Sequence, residues 1–153
     1  MAKNTANAAA RRVVTKRKAK KSPKAKKLSR TKRPQSMSLD DWQSALRKQF
    51  GREQDFELAN VGDDPIFSEF HVYNPASKNT YRVAIRGSQP GVNYCSCPDF
   101  ATNALGTCKH VEFTLGKLER KRGGKKALGD GFLPAYSEVF LRYGARREVC
   151  FRP

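Results

Sequence analysis

Residues 1–37 contain no Asp or Glu, and the whole chain of 153 residues contains only 14, against 31 Lys and Arg. The net charge is +17, and because those first 37 residues hold 14 of the basic side chains, the rest of the chain carries only 17 minus 14, or +3. Long apolar runs are equally scarce. No window approaches the roughly 18 apolar residues of a membrane-spanning helix, and no charged start followed by an apolar core marks a secretory leader. The expectation is a soluble protein that stays where it is made and has no membrane partner. About 115 residues after the basic stretch suffice for one modest core, which excludes an enzyme built from two large lobes. Cysteine is too sparse for a disulfide scaffold: there are four, and three of them fall within the 14 residues from Cys95 to Cys108. Clustering of that kind points to a metal before a staple.

What the first 37 residues do have is cation. Lys16, Arg17, Lys18, Lys20, Lys21, Lys24, Lys26 and Lys27, with Arg11, Arg12, Arg30, Lys32 and Arg33, are separated mostly by Ala, Ser, Thr and Pro. Such a stretch has little to bury and repels itself, so it is expected to be a disordered tail. Its functional reading is phosphate-backbone binding, in which each neutralised phosphate releases condensed counterion regardless of sequence. The bland alternative is a solubility or targeting tail. Ser22-Pro23-Lys24-Ala25-Lys26-Lys27 resembles one Ser-Pro-Lys repeat of a linker-histone tail. An interfacial membrane helix is disfavoured by the lack of a Trp, Phe and Leu face.

After the tail, Ser38 and Asp41 have capping-box spacing, and Leu39, Trp42, Leu46 and Phe50 follow at helical intervals. The spacing predicts an amphipathic helix over 39–50, closed by Gly51, with Trp42 and Phe50 in the core. Phe70 and Val72, then Tyr81, Val83 and Ile85, alternate as half-buried strands, with Arg82 and Arg86 on the other face. Turns at 74–79 and 87–91 join them to a third strand beginning at Val92. From His110, Val111, Leu115 and Leu118 recur at helical spacing until Gly123-Gly124. The fold class expected is α+β: a small antiparallel β-meander with a ββα zinc-binding unit and flanking helices, preceded by the basic tail. Its divisions are the tail at 1–37, an α+β domain at 38–126 and a C-terminal segment at 127–153.

The chemistry lies in Cys95-Ser96-Cys97-Pro98, a spacer of ten residues from Pro98 to Thr107, and then Cys108-Lys109-His110. On an extended strand, residues two apart face the same way, so Cys95 and Cys97 present both sulfurs to one side while Ser96 faces away. Cys108 and His110 at the start of a helix supply the other half. Three thiolates and an imidazole suit a closed tetrahedral zinc site, with a net charge near −1. A redox dithiol would leave Cys108 and His110 unexplained. A catalytic zinc needs an open position, and Asp99 or Glu112 could act as base only if one ligand were missing. His71 reads as a surface or partly buried strand residue, and Cys150 as a small core or edge-strand hydrophobe.

This Cys-x-Cys…Cys-x-His pattern, with Pro-Asp-Phe after Cys97 and an apolar helix after His110, resembles the SWIM zinc finger of SWI2/SNF2 ATPases and MuDR-type transposases, over residues 94–118 within a unit of about 80–120. The resemblance implies a β-β-α unit that holds zinc through Cys95, Cys97, Cys108 and His110 and contributes to DNA or protein contacts. Residues 106–112 and 137–144 also look like the amino-terminal region of bacterial SNF2-type helicases, which makes 127–153 read as the start of a truncated helicase region. No Gly-x-x-x-x-Gly-Lys-Ser/Thr loop occurs in this sequence, so the helicase motor is not carried over. The functional expectation is a non-catalytic zinc module that binds nucleic acid, DNA foremost, or serves as adaptor to a SNF2-type ATPase, with no small-molecule substrate. The other class is a protein-interaction module without nucleic-acid contact. Besides the tail, Lys109, Lys117, Arg120 and Lys121 around the second helix are the expected contacts, against the alternative that cations near a helix C-terminus merely favour its dipole. Free thiols indicate a reducing interior: bacterial cytoplasm in association with the nucleoid, or a nucleus as the alternative.

Overall fold

The computed structural model describes residues 27–153. The expected disorder of the tail up to residue 26, and the phosphate contacts assigned to Lys16, Arg17, Lys18, Lys20, Lys21, Lys24 and Lys26, lie outside the described residues. The first helix, α1 (Leu39–Glu53), starts where the capping box puts it: the Ser38 hydroxyl accepts from the Asp41 N–H and donates to the Asp41 carboxylate at 2.6 Å. It does not end at Phe50. The helix continues through Gly51, its only fully buried residue, to Glu53. A Cβ on Gly51 would stand 2.5 Å from the Lys109 carbonyl oxygen and 3.0 Å from the Phe113 nitrogen, so the glycine is a helix–helix contact point and not a stop.

Trp42 and Phe50 are half-buried, which corrects their expected place in the core. What covers α1 on that side is residues 27–33. The Trp42 indole N–H donates to the Ser29 carbonyl at 3.1 Å, the Leu28 N–H donates to Gln49 at 2.7 Å, and Lys27 pairs with Glu53 at 2.7 Å. This end of the basic stretch is therefore engaged with the folded part.

Four strands follow in a single antiparallel sheet, in the order β1-β2-β3-β4: β1 (Glu57–Asn60), β2 (Glu69–Asn74), β3 (Asn79–Ala84) and β4 (Tyr94–Cys95). The register aligns Phe70 with Val83 and Val83 with Cys95, placing the first cysteine in the same row as the most deeply buried apolar side chains. The strand expected from Val92 is β4, which begins only at Tyr94; Asn93 before it is buried in the loop. Its amide closes the turn by accepting from the Arg86 and Gly87 N–H groups and donating to the Gly87 carbonyl.

A short α2 (Pro98–Thr102) leads to α3 (Lys109–Leu118), which packs between α1 and the sheet and is buried on nearly every side from His110 to Leu118. Sequence periodicity extends this helix to Gly123, whereas the chain breaks after Leu118. Gly123 turns with φ +76°, and a separate α4 (Gly124–Asp130) follows. The chain finishes in a two-stranded hairpin, β5 (Glu138–Arg142) with β6 (Glu148–Arg152), on which Cys150 lies half-buried opposite Phe140. His71 is exposed on β2. Among the described residues, no helix is long and apolar enough to cross a membrane.

Candidate metal centre and its surroundings

Three elements deliver the four ligand residues. Cys95 ends β4. Cys97 is the N-cap of α2, where Pro98 at the first helical position supplies the fixed φ that a helix start favours. Cys108 is the N-cap of α3, in extended backbone at φ −152°, and His110 lies in the first turn. The loop before Cys108 is pinned from outside. Gly106, at φ +66°, sits so close to Gly91 and Tyr143 that a Cβ would lie 2.5 Å from the Tyr143 carbonyl oxygen, and the Gly91 N–H donates to the Gly106 carbonyl at 2.9 Å. Tyr143 packs edge-on against Phe100 at 4.9 Å, so the C-terminal segment buttresses the spacer between the two ligand pairs.

The result is one compact group: a sulfur from each of Cys95, Cys97 and Cys108 and a ring nitrogen of His110, all within 4.8 Å of one another and all from buried residues. Ser96 is exposed, as the strand alternation predicts. A tetrahedron with about 2.3 Å to sulfur and 2.0 Å to nitrogen has edges of about 3.8 Å between sulfurs and about 3.5 Å between sulfur and nitrogen. The Cys95 Sγ to His110 Nδ1 separation of 3.8 Å lies close to such an edge. Cys150 is on the hairpin and outside the group.

Hydrogen bonds from the Cys108 and Cys95 thiols hold Cys97 well below the usual thiol range. The Phe100 N–H adds to this by donating to Cys97 Sγ at 3.4 Å. Cys95 is pushed well above that range by its hydrogen bonds with Cys108 and Cys97 and by burial. At Cys108 the hydrogen bond with Cys95 acts downward, but the one with Cys97 and burial outweigh it and raise the thiol to about 12. The imidazole is held by rings: Tyr81 stacks on it at 4.4 Å and Phe56 packs at 5.2 Å. Its Nε2 is buried with no hydrogen-bond partner. Aromatic packing thus fixes the ring where metal-bound histidines commonly use an acceptor on the second nitrogen. Three soft thiol ligands and one imidazole at this spacing fit a metal ion, and the cluster could hold one; zinc is typical of such sets.

Both carboxylates near the group are engaged elsewhere. Asp99 takes two bonds from Arg47, at 2.7 and 3.2 Å, and Glu112 accepts from the Thr107 hydroxyl at 2.8 Å. The four basic residues expected around the second helix do not form one patch. Lys109 is at the N-terminal end of α3, half-buried beside Phe50 and Phe56. Lys117 is exposed near the other end, about 12 Å away by helix rise, and Arg120 and Lys121 are exposed just past the helix end at Leu118. Arg47, which no charge-run reading singles out, and Arg30, from the end of the basic stretch, share the Lys109 side instead. Comparison with protein families, characterised proteins and solved structures finds no match for this chain.

Proposed function

We propose that this chain is a non-catalytic zinc module of SWIM type that binds nucleic acid, with DNA as the polymer, in a reducing compartment. The observation carrying the reading is the buried convergence of Cys95, Cys97, Cys108 and His110 on one point. Four good ligands would leave no open position for water or substrate, and the nearby acids, Asp99 and Glu112, are bonded to Arg47 and Thr107. Bound zinc would tie the end of β4 to the starts of α2 and α3, a structural contribution on the order of 10 kcal/mol. The order and spacing of the ligands support the SWIM assignment.

The charge supports nucleic acid as the partner: a net +17, concentrated at the N-terminal end, is what phosphate neutralisation uses. The test is a salt titration of the full chain on labelled DNA. If some 6–10 phosphates are engaged, log affinity falls with log salt at a slope of about −5 to −9. Undetectable binding at 50 mM salt, or a slope near zero, refutes the reading.

A second reading, docking to a protein such as a separately encoded SNF2-type ATPase, is favoured by one feature. Val139 and Leu141 on β5 lie directly opposite Phe151 and Val149 on β6, and all four are exposed, at 70, 36, 67 and 76%. An apolar sheet face of that kind commonly marks a protein contact.

A further inference from the structure

Beside the metal centre lies a cavity of about 310 Å³ lined by Arg30, Leu46, Arg47, Phe50, Asp99 and Lys109. Its floor is apolar, made by the Phe50 ring and Leu46 on α1. Its rim is charged. Arg47 and Asp99 neutralise one another through their paired hydrogen bonds, which leaves Arg30 and Lys109 as the unbalanced charges. Both cations are drawn to the same ring: the Arg30 guanidinium carbon is 5.1 Å and the Lys109 nitrogen 5.8 Å from the Phe50 centroid. An aromatic ring with two cations over it brings together the two elements that hold unpaired nucleotides, stacking for a base that takes the cations' place and charge for the phosphate.

We infer that this cavity is a subsite for one unstacked nucleotide of a single strand, with Phe50 as the stacking surface and Arg30 and Lys109 as the phosphate contacts. The inference rests on the nucleic-acid reading above and deepens it by naming the strand form. The volume suits a small group and not the edge of a helix. Bases in a duplex are paired and stacked, so a duplex has no free base to place there. The cavity is also tethered to the metal centre. Asp99 is two residues past Cys97, and Lys109 stands between Cys108 and His110, so the order of two of its walls follows from the order of the ligands.

The experiment uses the full chain and measures fluorescence anisotropy on a labelled oligothymidylate and on a duplex of the same length, at fixed salt, with zinc content checked for every variant. Phe50→Leu keeps the apolar bulk and removes the ring. It is expected to weaken the single strand at least about fivefold and leave the duplex unchanged. Arg30→Gln, an exposed side chain on the strap, keeps the test open if Phe50→Leu fails to fold. That variant should reduce the single-strand salt slope by about 1. Unaltered single-strand binding in these variants, equal losses on both forms, or an acidic peptide that displaces the oligonucleotide from the wild-type cavity, overturns the subsite. Failure of wild-type protein to bind either form refutes the nucleic-acid reading itself, a separate result.

Discussion

Gly51→Ala distinguishes a helix contact point from an incidental glycine, because the two cases have opposite signs. In an open helix interior, alanine in place of glycine stabilises by about 1 kcal/mol. At Gly51 the added Cβ would meet backbone, the Lys109 carbonyl oxygen at 2.5 Å and the Phe113 nitrogen at 3.0 Å, and neither can swing aside as a side-chain tip could. The helices must separate, and forced separation in a packed interior costs about 1–3 kcal/mol or more. After the propensity gain is subtracted, the net expectation runs from no change to a loss of about 2 kcal/mol, for a domain of this size a fall in Tm of up to several degrees. Gly129→Ala is the internal control. Gly129 is in α4 with nothing within 4 Å of its added Cβ, so that change should leave Tm unchanged or raise it slightly. Thermal unfolding followed by circular dichroism, in zinc-containing buffer, reads both. If Gly51→Ala stabilises as much as Gly129→Ala, the account of how α1 seats against α3 is wrong.

Three further expectations follow from the same contacts. Trp42 is the single tryptophan, and its indole bonds to the Ser29 carbonyl, so removing residues 1–33 should shift its emission to the red while removing 1–26 should not; identical spectra would contradict the packing of residues 27–33 on α1. Asp99→Asn weakens the paired bonds to Arg47, across side chains 38 and 23% exposed, and should cost about 1 kcal/mol in a denaturant titration, with zinc content retained. Deleting residues 1–26 removes 10 basic residues and should flatten the salt dependence of DNA binding sharply, whereas charge reversal at Lys117, Arg120 and Lys121 tests the surface at the other end of α3 from Lys109; an unchanged slope in the deletion would assign the phosphate contacts to the folded part.

The elements legible in the sequence are those whose signal is local. Ser38 and Asp41 announce α1, Phe70 and Val72 with Tyr81 and Val83 announce β2 and β3, and the spacing of Cys95, Cys97, Cys108 and His110 brings out the metal cluster. What escaped depends on tertiary contact. β1 offers only Leu58 as a partly buried apolar residue on an edge strand, too little for an alternation to register. Gly51 reads as a helix stop until α3 is placed against it, and Phe50 reads as core until the strap at 27–33 is seen to lie across that side. The break between α3 and α4 is similar: Gly124 packs directly on the Leu118 carbonyl, where a Cβ would come within 2.0 Å, a requirement that periodicity does not express. Thr114 and Glu112 are buried polar residues on α3, one bonded back to the His110 carbonyl and the other to Thr107.

If Cys95, Cys97, Cys108 and His110 form one metal site, metal content reports it without an intermediate step. Protein purified under reducing conditions is analysed for zinc by elemental mass spectrometry, alongside Cys97→Ser, His110→Ala and Cys150→Ser. One zinc per chain is expected in the wild type and in Cys150→Ser, with stoichiometric zinc lost from the other two. Metal-free wild-type protein that remains folded, a disulfide between Cys95 and Cys97 in the cell, or full zinc in Cys97→Ser would contradict it.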